Sequence, residues 1–407
     1  MRSVQEAIVD ILGHVHPLED VETVEVLDAL GRVLARDVHS DVDLPPFQKS
    51  AMDGFAVRSA DFGPQGLASG VALEVLGESR AGVPYAGSVA PGQCVEIYTG
   101  AQVPDDCDAV VMVEKSLREG QTVRFDGSAQ ARQNVCNQGE DLTSGALALA
   151  SHRRLSPTDL SVLAAVGCSP VPVFRRPRVS ILTTGDELVA PHETPGVGQI
   201  REGNTLHLAA LTAGAGAQVI EVGLVADRSE ELEARFAAAL AQSDVVITTG
   251  GVSMGKYDLV AQVFRKLGVR EVFHKVAVKP GKPIWFGVQD STLVFGLPGN
   301  PVSCLVDQEV FVRPALAKLG NAPQCEWGEG LRRGRWDGAE MAQHPRQRYV
   351  PVRVCQGEDG VDQVSRLDWS SSADIVGLAE ADGLALVPAG TGLPSGGRVS
   401  YRPLPRP

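Results

Sequence analysis

No stretch of the 407-residue chain approaches the ~20 consecutive apolar residues that a helix needs to cross a bilayer, which excludes a membrane-spanning helix. An excess of basic residues is missing too. The formal net charge of −13 leaves no general cationic surface for nucleic acid, which demands clustered Lys and Arg, although a local basic pocket stays open. The seven cysteines (Cys94, Cys107, Cys136, Cys168, Cys304, Cys325, Cys355) are odd in number and scattered, without paired zinc-finger or redox spacing, and read as reduced thiols. The eight histidines form no metal signature, so His14, His16 and His274 read as ordinary surface or core residues. No Ser-His-Asp or Cys-His arrangement stands out. The opening Met1-Arg2-Ser3-Val4-Gln5-Glu6 carries an acid within its apolar periodicity and has no signal-peptide core. The expectation is a cytoplasmic protein acting on a small molecule, with no nucleic-acid or membrane partner.

What is present is a soluble globular composition, 43% hydrophobic and 21% charged, with 44 glycines and 26 prolines to make turns. Length alone suggests about two to four domains. Residues 3–36 read as helical, first through Val4, Ala7, Ile8, Ile11 and Leu12, then through Val24, Leu27, Leu30 and Leu34, until Pro45-Pro46 breaks the pattern. Short β-rich runs such as 71–76 and 93–98 follow, and helical pattern returns at 156–166 behind Ser156 and Pro157. From Arg178, apolar strands at 179–182, 219–224, 245–248 and 293–295 alternate with helical stretches near 204–213, 229–242, 258–267 and 301–318. That rhythm predicts a parallel sheet covered by helices on both faces. The expected fold class is therefore α/β multidomain. A discontinuous helical N-terminal domain (1–49 with 142–176) carries an inserted β domain (50–141), followed by a doubly wound, mostly parallel sheet domain (177–319) and a C-terminal β domain (320–407).

In such sheets, ligands bind where strands end at the carboxyl edge. Three loops are expected there: Thr183-Thr184-Gly185-Asp186-Glu187, Thr248-Thr249-Gly250-Gly251-Val252-Ser253-Met254-Gly255-Lys256-Tyr257-Asp258, and Gly296-Leu297-Pro298-Gly299-Asn300-Pro301. Adjacent glycines allow positive φ and close approach of backbone to a ligand, and free N–H groups at a helix start suit a phosphate. Asp258 could cap the following helix or hold Mg²⁺. Asp186 and Glu187 could equally begin a helix, where carboxylates interact well with its dipole. Convergence of the three loops on one rim favours a pocket.

Alternation through Lys275-Val276-Ala277-Val278-Lys279 puts Lys275 and Lys279 on one face of a strand, and the Pro280-Gly281 turn presents Lys282. Three ammonium groups at a sheet edge suggest a polyanion; a solvated, charged edge that discourages aggregation would explain a lone lysine, but the cluster beside its Pro and Gly turns favours the anion. Asp53, in Ser50-Ala51-Met52-Asp53-Gly54-Phe55-Ala56, and Asp141, in Gln138-Gly139-Glu140-Asp141, sit beside glycines at the borders of the β insertion, where Asx-type turns explain them cheaply.

Seven motifs in order, SAMDGFA from Ser50, TGAQVPDDCDAVVMVE from Thr99, GED from Gly139, PRVSILTTGDEL from Pro177, GGVSMGKYDLV from Gly250, KVAVKPGKP from Lys275 and FGLPGNPVS from Phe295, resemble the molybdopterin molybdenumtransferase family, the MoeA proteins and the gephyrin E-domain. The likeness covers nearly the whole chain. It implies a homodimer of four-domain subunits that inserts molybdate into adenylylated molybdopterin and releases AMP, with Mg²⁺ as cofactor. It also allows contact with the molybdopterin adenylyltransferase and with maturation factors of molybdoenzymes. By the same resemblance, Asp186, Glu187 and Asp258 bind metal, and Asp53, Asp141, Glu187, Asp258, Lys275 and Lys279 are catalytic. Thr99, Thr184, Gly185, Asp186, Gly250, Gly251, Ser253, Lys282, Pro298, Gly299, Asn300, Pro301 and Ser303 cradle the ligand, and Arg346, Arg348 and Ser371 are candidate molybdate contacts. Asp53 and Thr99 would face the partner subunit's pocket, so that the active site is shared. Two rival readings on the same fold are ATP-dependent adenylylation of molybdopterin and a non-catalytic scaffold.

The chain departs from the family pattern at four places. The usual Asn before SAMDG is Lys49, the Arg of the Asn-Val-Arg stretch is Cys136, and an acid before the Tyr-Asp pair is Lys256. The Asp-Ser-Asn after Ile-Arg appears as Glu202-Gly203-Asn204.

Overall fold

Residues 179–184, Val-Ser-Ile-Leu-Thr-Thr, carry no charge on either alternating face and are buried throughout, as a strand covered on two sides requires. In the computed structural model, which describes residues 1–251, 259–328, 330–368 and 370–404, they form an interior strand of a six-stranded sheet. Ser253, Lys256 and Asp258 lie outside the described residues. The sheet comprises β1 (Arg178–Thr184), β2 (Gln218–Val225), β3 (Val245–Thr249), β4 (Arg270–His274), β5 (Trp285–Gln289) and β6 (Thr292–Leu297), in the order β2-β1-β3-β6-β5-β4. The first four run parallel; β5 is antiparallel to both β6 and β4. Its helices are α1 (Asn204–Gly214), α2 (Ser229–Gln242), α3 (Leu259–Lys266) and α4 (Pro301–Asp307).

Strand alternation divides the core in two. Val179, Ile181, Val245, Ile247, Leu293 and Phe295 face a core that also holds Leu208 of α1, Leu305 of α4 and the apolar side of the N-terminal helix Val4–Gly13. Leu182, Val246 and Val294 face the opposite way, onto Leu232 and Phe236 of α2 and Val260 and Phe264 of α3. There Phe236 stacks on Phe264 at 4.4 Å and Phe264 on Trp285 at 5.7 Å between ring centroids. Each such ring contributes roughly 1.5–3 kcal/mol by leaving water. The sheet is thus doubly wound.

The C-terminal strands Arg332–Asp337, Gln347–Gln356, Asp362–Arg366, Gly383–Val387 and Arg398–Pro403 close into a ring, because Gln347–Gln356 pairs with both Asp362–Arg366 and Gly383–Val387. Trp336, Val352, Val364 and Tyr401 fill it. A short strand, Val278–Lys279, joins this ring in parallel beside Gln347–Gln356.

These elements belong to one compact unit, residues 1–36, 152–156 and 172–407. The other unit, residues 37–151 and 157–171, is built on a six-stranded sheet that includes Gly54–Val57, Ala72–Ser79 and Gln93–Ile97. Phe55, Val57, Val111 and Phe125 form a core on one face of it, while Ala56, Val95, Ile97 and Val110 form one on the other. The helix expected behind Ser156 runs Pro157–Ala165.

The second helical stretch expected at 23–34 is not a helix. The chain forms the strand Val21–Val24 and a single 3-10 turn, Leu27–Ala29. Leu27 and Leu30 are 78% and 47% exposed, so their helical spacing covers nothing, and Val21, Thr23 and Val24 are β-branched and suit extended backbone. Backbone bonds go sideways instead: Arg175 N–H donates to Asp20 O at 2.9 Å and Phe174 N–H to Val33 O at 2.9 Å.

Candidate functional site

The strand order 2-1-3-6 reverses direction at β1, which opens a crevice between the carboxyl ends of β1 and β3. Registers Thr183↔Thr249 and Thr249↔Leu297 bring three strand ends to one level. The chain leaves β3 through Gly250 and Gly251 at φ +84° and +63°. A Cβ on Gly250 would lie 2.2 Å from the Thr184 carbonyl oxygen, and one on Gly251 would lie 2.6 Å from a Val260 methyl, so only glycine fits. Thr249 Oγ1 donates to Pro298 O at 2.9 Å, and Asn204 Nδ2, at the start of α1, donates to Gly299 O at 2.7 Å. These bonds tie the expected loops together around a cleft of about 370 Å³ whose walls include Thr184, Glu187, Asn204, Gly250, Gly299 and Pro301.

Carboxylates gather on this rim. Thr184 Oγ1 donates to Asp227 Oδ1, and the Asp227 N–H points at Asp186 Oδ1 from 3.4 Å. Glu202 instead receives the Thr205 N–H at 2.8 Å and serves the start of α1. Asp186, Glu187 and Asp227 offer oxygen only, the donor type that a hard divalent cation such as Mg²⁺ takes. Among the described residues no three His, Cys, Asp or Glu side chains meet at metal-holding spacing; Asp258, the third expected ligand, lies outside them. Asp227 was not singled out from sequence. Its one signal is that it follows a strand whose end shares the rim.

A second cleft, of about 540 Å³, lies where the 279–283 loop meets the C-terminal ring. Five cations line it, Lys279, Lys282, Arg346, Arg348 and Arg366, with Ser303, Ser371 and Ser372, and no carboxylate. The ladder Lys279↔Arg348 sets two of them side by side. Arg346 Nη1 donates to Val278 O at 3.1 Å and Arg348 Nη2 to Ala342 O at 2.8 Å. Burial lowers the Arg348 pKa, and its Nε is buried without a hydrogen-bond partner among the described residues. Gly281, at φ +104°, packs over Asp307 so closely that a Cβ would lie 2.1 Å from a carboxyl oxygen. The cleft presents convergent N–H donors to an oxyanion.

Lys275 is the exception to the expected lysine face. β4 ends at His274, Lys275 turns at φ +75°, and it lines neither cleft. Its N–H is held by Ile284 O at 2.9 Å while Ala277 N–H bonds Arg2 O at 2.8 Å, so 275–279 is not one strand and alternation does not apply. Arg366, which sequence reasoning missed, ends its strand with no local signature.

The two clefts adjoin. Asn300 Nδ2 donates to Ser372 Oγ at 2.9 Å and Val302 N–H to Ser372 O at 3.1 Å, so the wall between them is the start of α4 locked to the serine run. Pro301 faces one cleft and Ser303 the other.

In the other unit, Asp53 and Thr99 are brought together. Thr99 N–H and Oγ1 both donate to Asp53 Oδ1, at 2.7 and 2.8 Å, and these bonds hold the carboxyl below its ordinary pKa. Asp141 is exposed, with its N–H on Leu44 O at 2.9 Å. Lys49 and Cys136, both departures from the family pattern, are direct cross-strand partners.

The chain matches the MoeA N-terminal region (domains I and II) over residues 2–167, a probable molybdopterin-binding domain over 180–318 and the MoeA C-terminal region (domain IV) over 337–404. It is 34% identical to the molybdopterin molybdenumtransferase of Nostoc sp., over 98% of this chain and 92% of that protein. With the enzyme of that name from Bacillus subtilis it shares 32% over 93% and 88% of the two chains. The crystal structure of the molybdopterin biosynthesis MoeA protein from Pyrococcus horikoshii superposes with a TM-score of 0.83 at 28% identity, covering 99% of this chain and 100% of that one. With its two clefts, its glycine loop and its sheet order in place, the chain belongs to the MoeA family of molybdopterin molybdenumtransferases.

Proposed function

We propose that this chain inserts molybdenum into molybdopterin, taking adenylylated molybdopterin and molybdate and releasing AMP. The observation that carries the reading is the pair of adjoining clefts, one rimmed by carboxylates and a glycine loop, the other lined by five cations and no carboxylate. A phosphoanhydride held at Gly250 and Gly251 would meet backbone close to its oxygens, where no side chain intrudes. Asp186 and Glu187, with Asp258 expected from the sequence, would hold Mg²⁺, and the ion would neutralise charge on the phosphoryl oxygens; Asp227 stands beside Asp186. Lys279, Lys282, Arg346 and Arg348 would bind molybdate as an oxyanion, with Ser303 and Ser371 supplying hydroxyl donors; Arg366 joins them. The Asn300–Ser372 bond fixes the distance between the two subsites, so that both substrates are presented in one geometry.

The chain would work as a four-domain homodimer in which Asp53 and Thr99 serve the partner subunit's pocket. Asp53 is exposed and held ionised, as a group that acts on something outside its own unit must be. Lys275, expected from the resemblance to be catalytic, lines neither cleft. The test is to supply purified protein with adenylylated molybdopterin, Mg²⁺ and molybdate, and to follow AMP and metal-loaded cofactor together. AMP release that depends on molybdate supports the proposal; ATP consumption on plain molybdopterin would show the sister adenylyltransferase chemistry instead.

A further inference from the structure

A third cavity, of about 510 Å³, lies at the amino edge of the doubly wound sheet, where α1 ends and β2 begins. Arg154, Arg176 and Arg313 line it, together with Gly216 and Glu326. Their charges do not balance. Arg154 is satisfied: Nε and Nη2 bond Glu326 at 2.9 and 2.8 Å, and Nη1 bonds Gly31 O at 2.9 Å. Among the described residues the carboxylate that Arg313 pairs with is Glu309, at 4.0 Å, with Glu326 acting on it more weakly, and the same Glu309 oxygen already accepts Arg402 Nε at 2.7 Å. Arg176 has no carboxylate partner among the described residues. Three guanidinium groups and a single carboxylate therefore line one cavity, in a chain whose net charge is −13.

The surroundings sharpen this. Burial, and then Arg32, pushes the Arg176 pKa down; burial, and then Arg402, does the same at Arg313. An anion in the cavity would offset the repulsion that each feels from its neighbouring arginine. The carbonyls at the end of α1 do not compete for the arginines, because Gly216 N–H bonds Ala213 O at 2.9 Å and Ala217 N–H bonds Thr212 O at 3.3 Å. Gly216, at φ +89°, also leaves room for Arg154, since a Cβ there would stand 3.1 Å from its Nη1.

We propose that this cavity is a second anion site, separate from both clefts of the reaction, for a small molecule bearing a diphosphate. Arg176 and Arg313 each take a phosphoryl group, and the planar fork of arginine matches phosphate oxygens in a way that a lysine would not. Glu326 keeps Arg154 pinned as the wall. The volume exceeds what inorganic phosphate needs and admits an organic group beside it.

The probe is inorganic pyrophosphate, titrated calorimetrically into the full chain at low salt. Two classes of binding are expected, because the cationic cleft will also accept it. Arg176→Gln and Ala213→Glu, both at exposed positions, should each weaken one class at least about tenfold, and Lys282→Gln should weaken only the other. The first two variants should keep the wild-type melting temperature and sedimentation coefficient. A single class that disappears in Lys282→Gln, or titrations unaltered by both Arg176→Gln and Ala213→Glu, overturns the proposal. So does a change of oligomeric state in those two variants, which would make this face a protein contact.

Discussion

Both carboxyl oxygens of Asp307 are buried without a hydrogen-bond partner among the described residues, beneath the Gly281 turn that helps line the cationic cleft. Burial raises its pKa well above the ordinary value, so the native state holds it protonated. The unfolded chain ionises Asp near about pH 3.9. Stability is therefore lost as pH climbs from that value towards the raised native one, and Asp307→Asn removes the dependence. The variant should melt higher than wild type at about pH 8, with the gain shrinking towards about pH 5, as thermal unfolding at both would show. An equal difference at the two pH values would mean that Asp307 does not titrate there.

Glu187 offers a second test at the same scale. If it positions the metal, Glu187→Gln should cut kcat by about 10²-fold or more while KM moves little, since such a carboxylate acts mostly in the transition state. A matched loss in binding and turnover would remove it from that role. Gly250 and Gly251 were legible because adjacent glycines after an apolar strand carry their own backbone argument. Asp227 and Arg366 were not, because each is a single polar residue whose importance depends on which strand lies beside its own.

Among the elements, the strands of the sheet were readable because alternation in β1, β3 and β6 serves two cores at once. The 23–34 stretch misled, since Leu27 and Leu30, at helical spacing there, remain in solvent. Lys275–Lys279 misled for a related reason: a period of two has meaning only while the backbone stays extended, and it turns at Lys275. The antiparallel pair Lys49–Ser50 with Val135–Cys136 shows the opposite case, where two positions that look like separate departures from the family pattern prove to be one rung. Lys49 puts a positive charge on the rung it shares with Cys136, and it helps to hold the Glu140 carboxyl below its usual pKa, after the larger contributions of the Asn137 backbone and side chain and of Arg132. Lys49→Asn alone should lower activity, Cys136→Arg alone should crowd like charges across the ladder, and the double variant should recover most of what either loses. Additive losses in that cycle would show that the two sites are independent.

On the scale of the whole molecule, the proposed sharing of active sites can be read from mixed dimers. Asp53→Asn and Glu187→Gln would impair different components of each pocket, so co-refolded mixtures should regain up to about a quarter of wild-type activity per site, because random pairing makes about half the dimers mixed and leaves one pocket of each intact. Mixtures no more active than the two parents would place both residues in the same chain's pocket.

The two-residue strand Val278–Lys279 carries a practical consequence for anyone who rearranges this protein. Sequence places the last β segment after residue 320, yet the ring it forms is flanked by a strand donated some forty positions earlier, roughly. A chimaera spliced at 319 would graft a foreign ring onto a resident strand, and Lys279 would face a stranger in place of Arg348. The unit of inheritance that keeps the cationic cleft whole must be cut upstream of Lys275, so this protein's natural seams for recombination and its domain borders are different places.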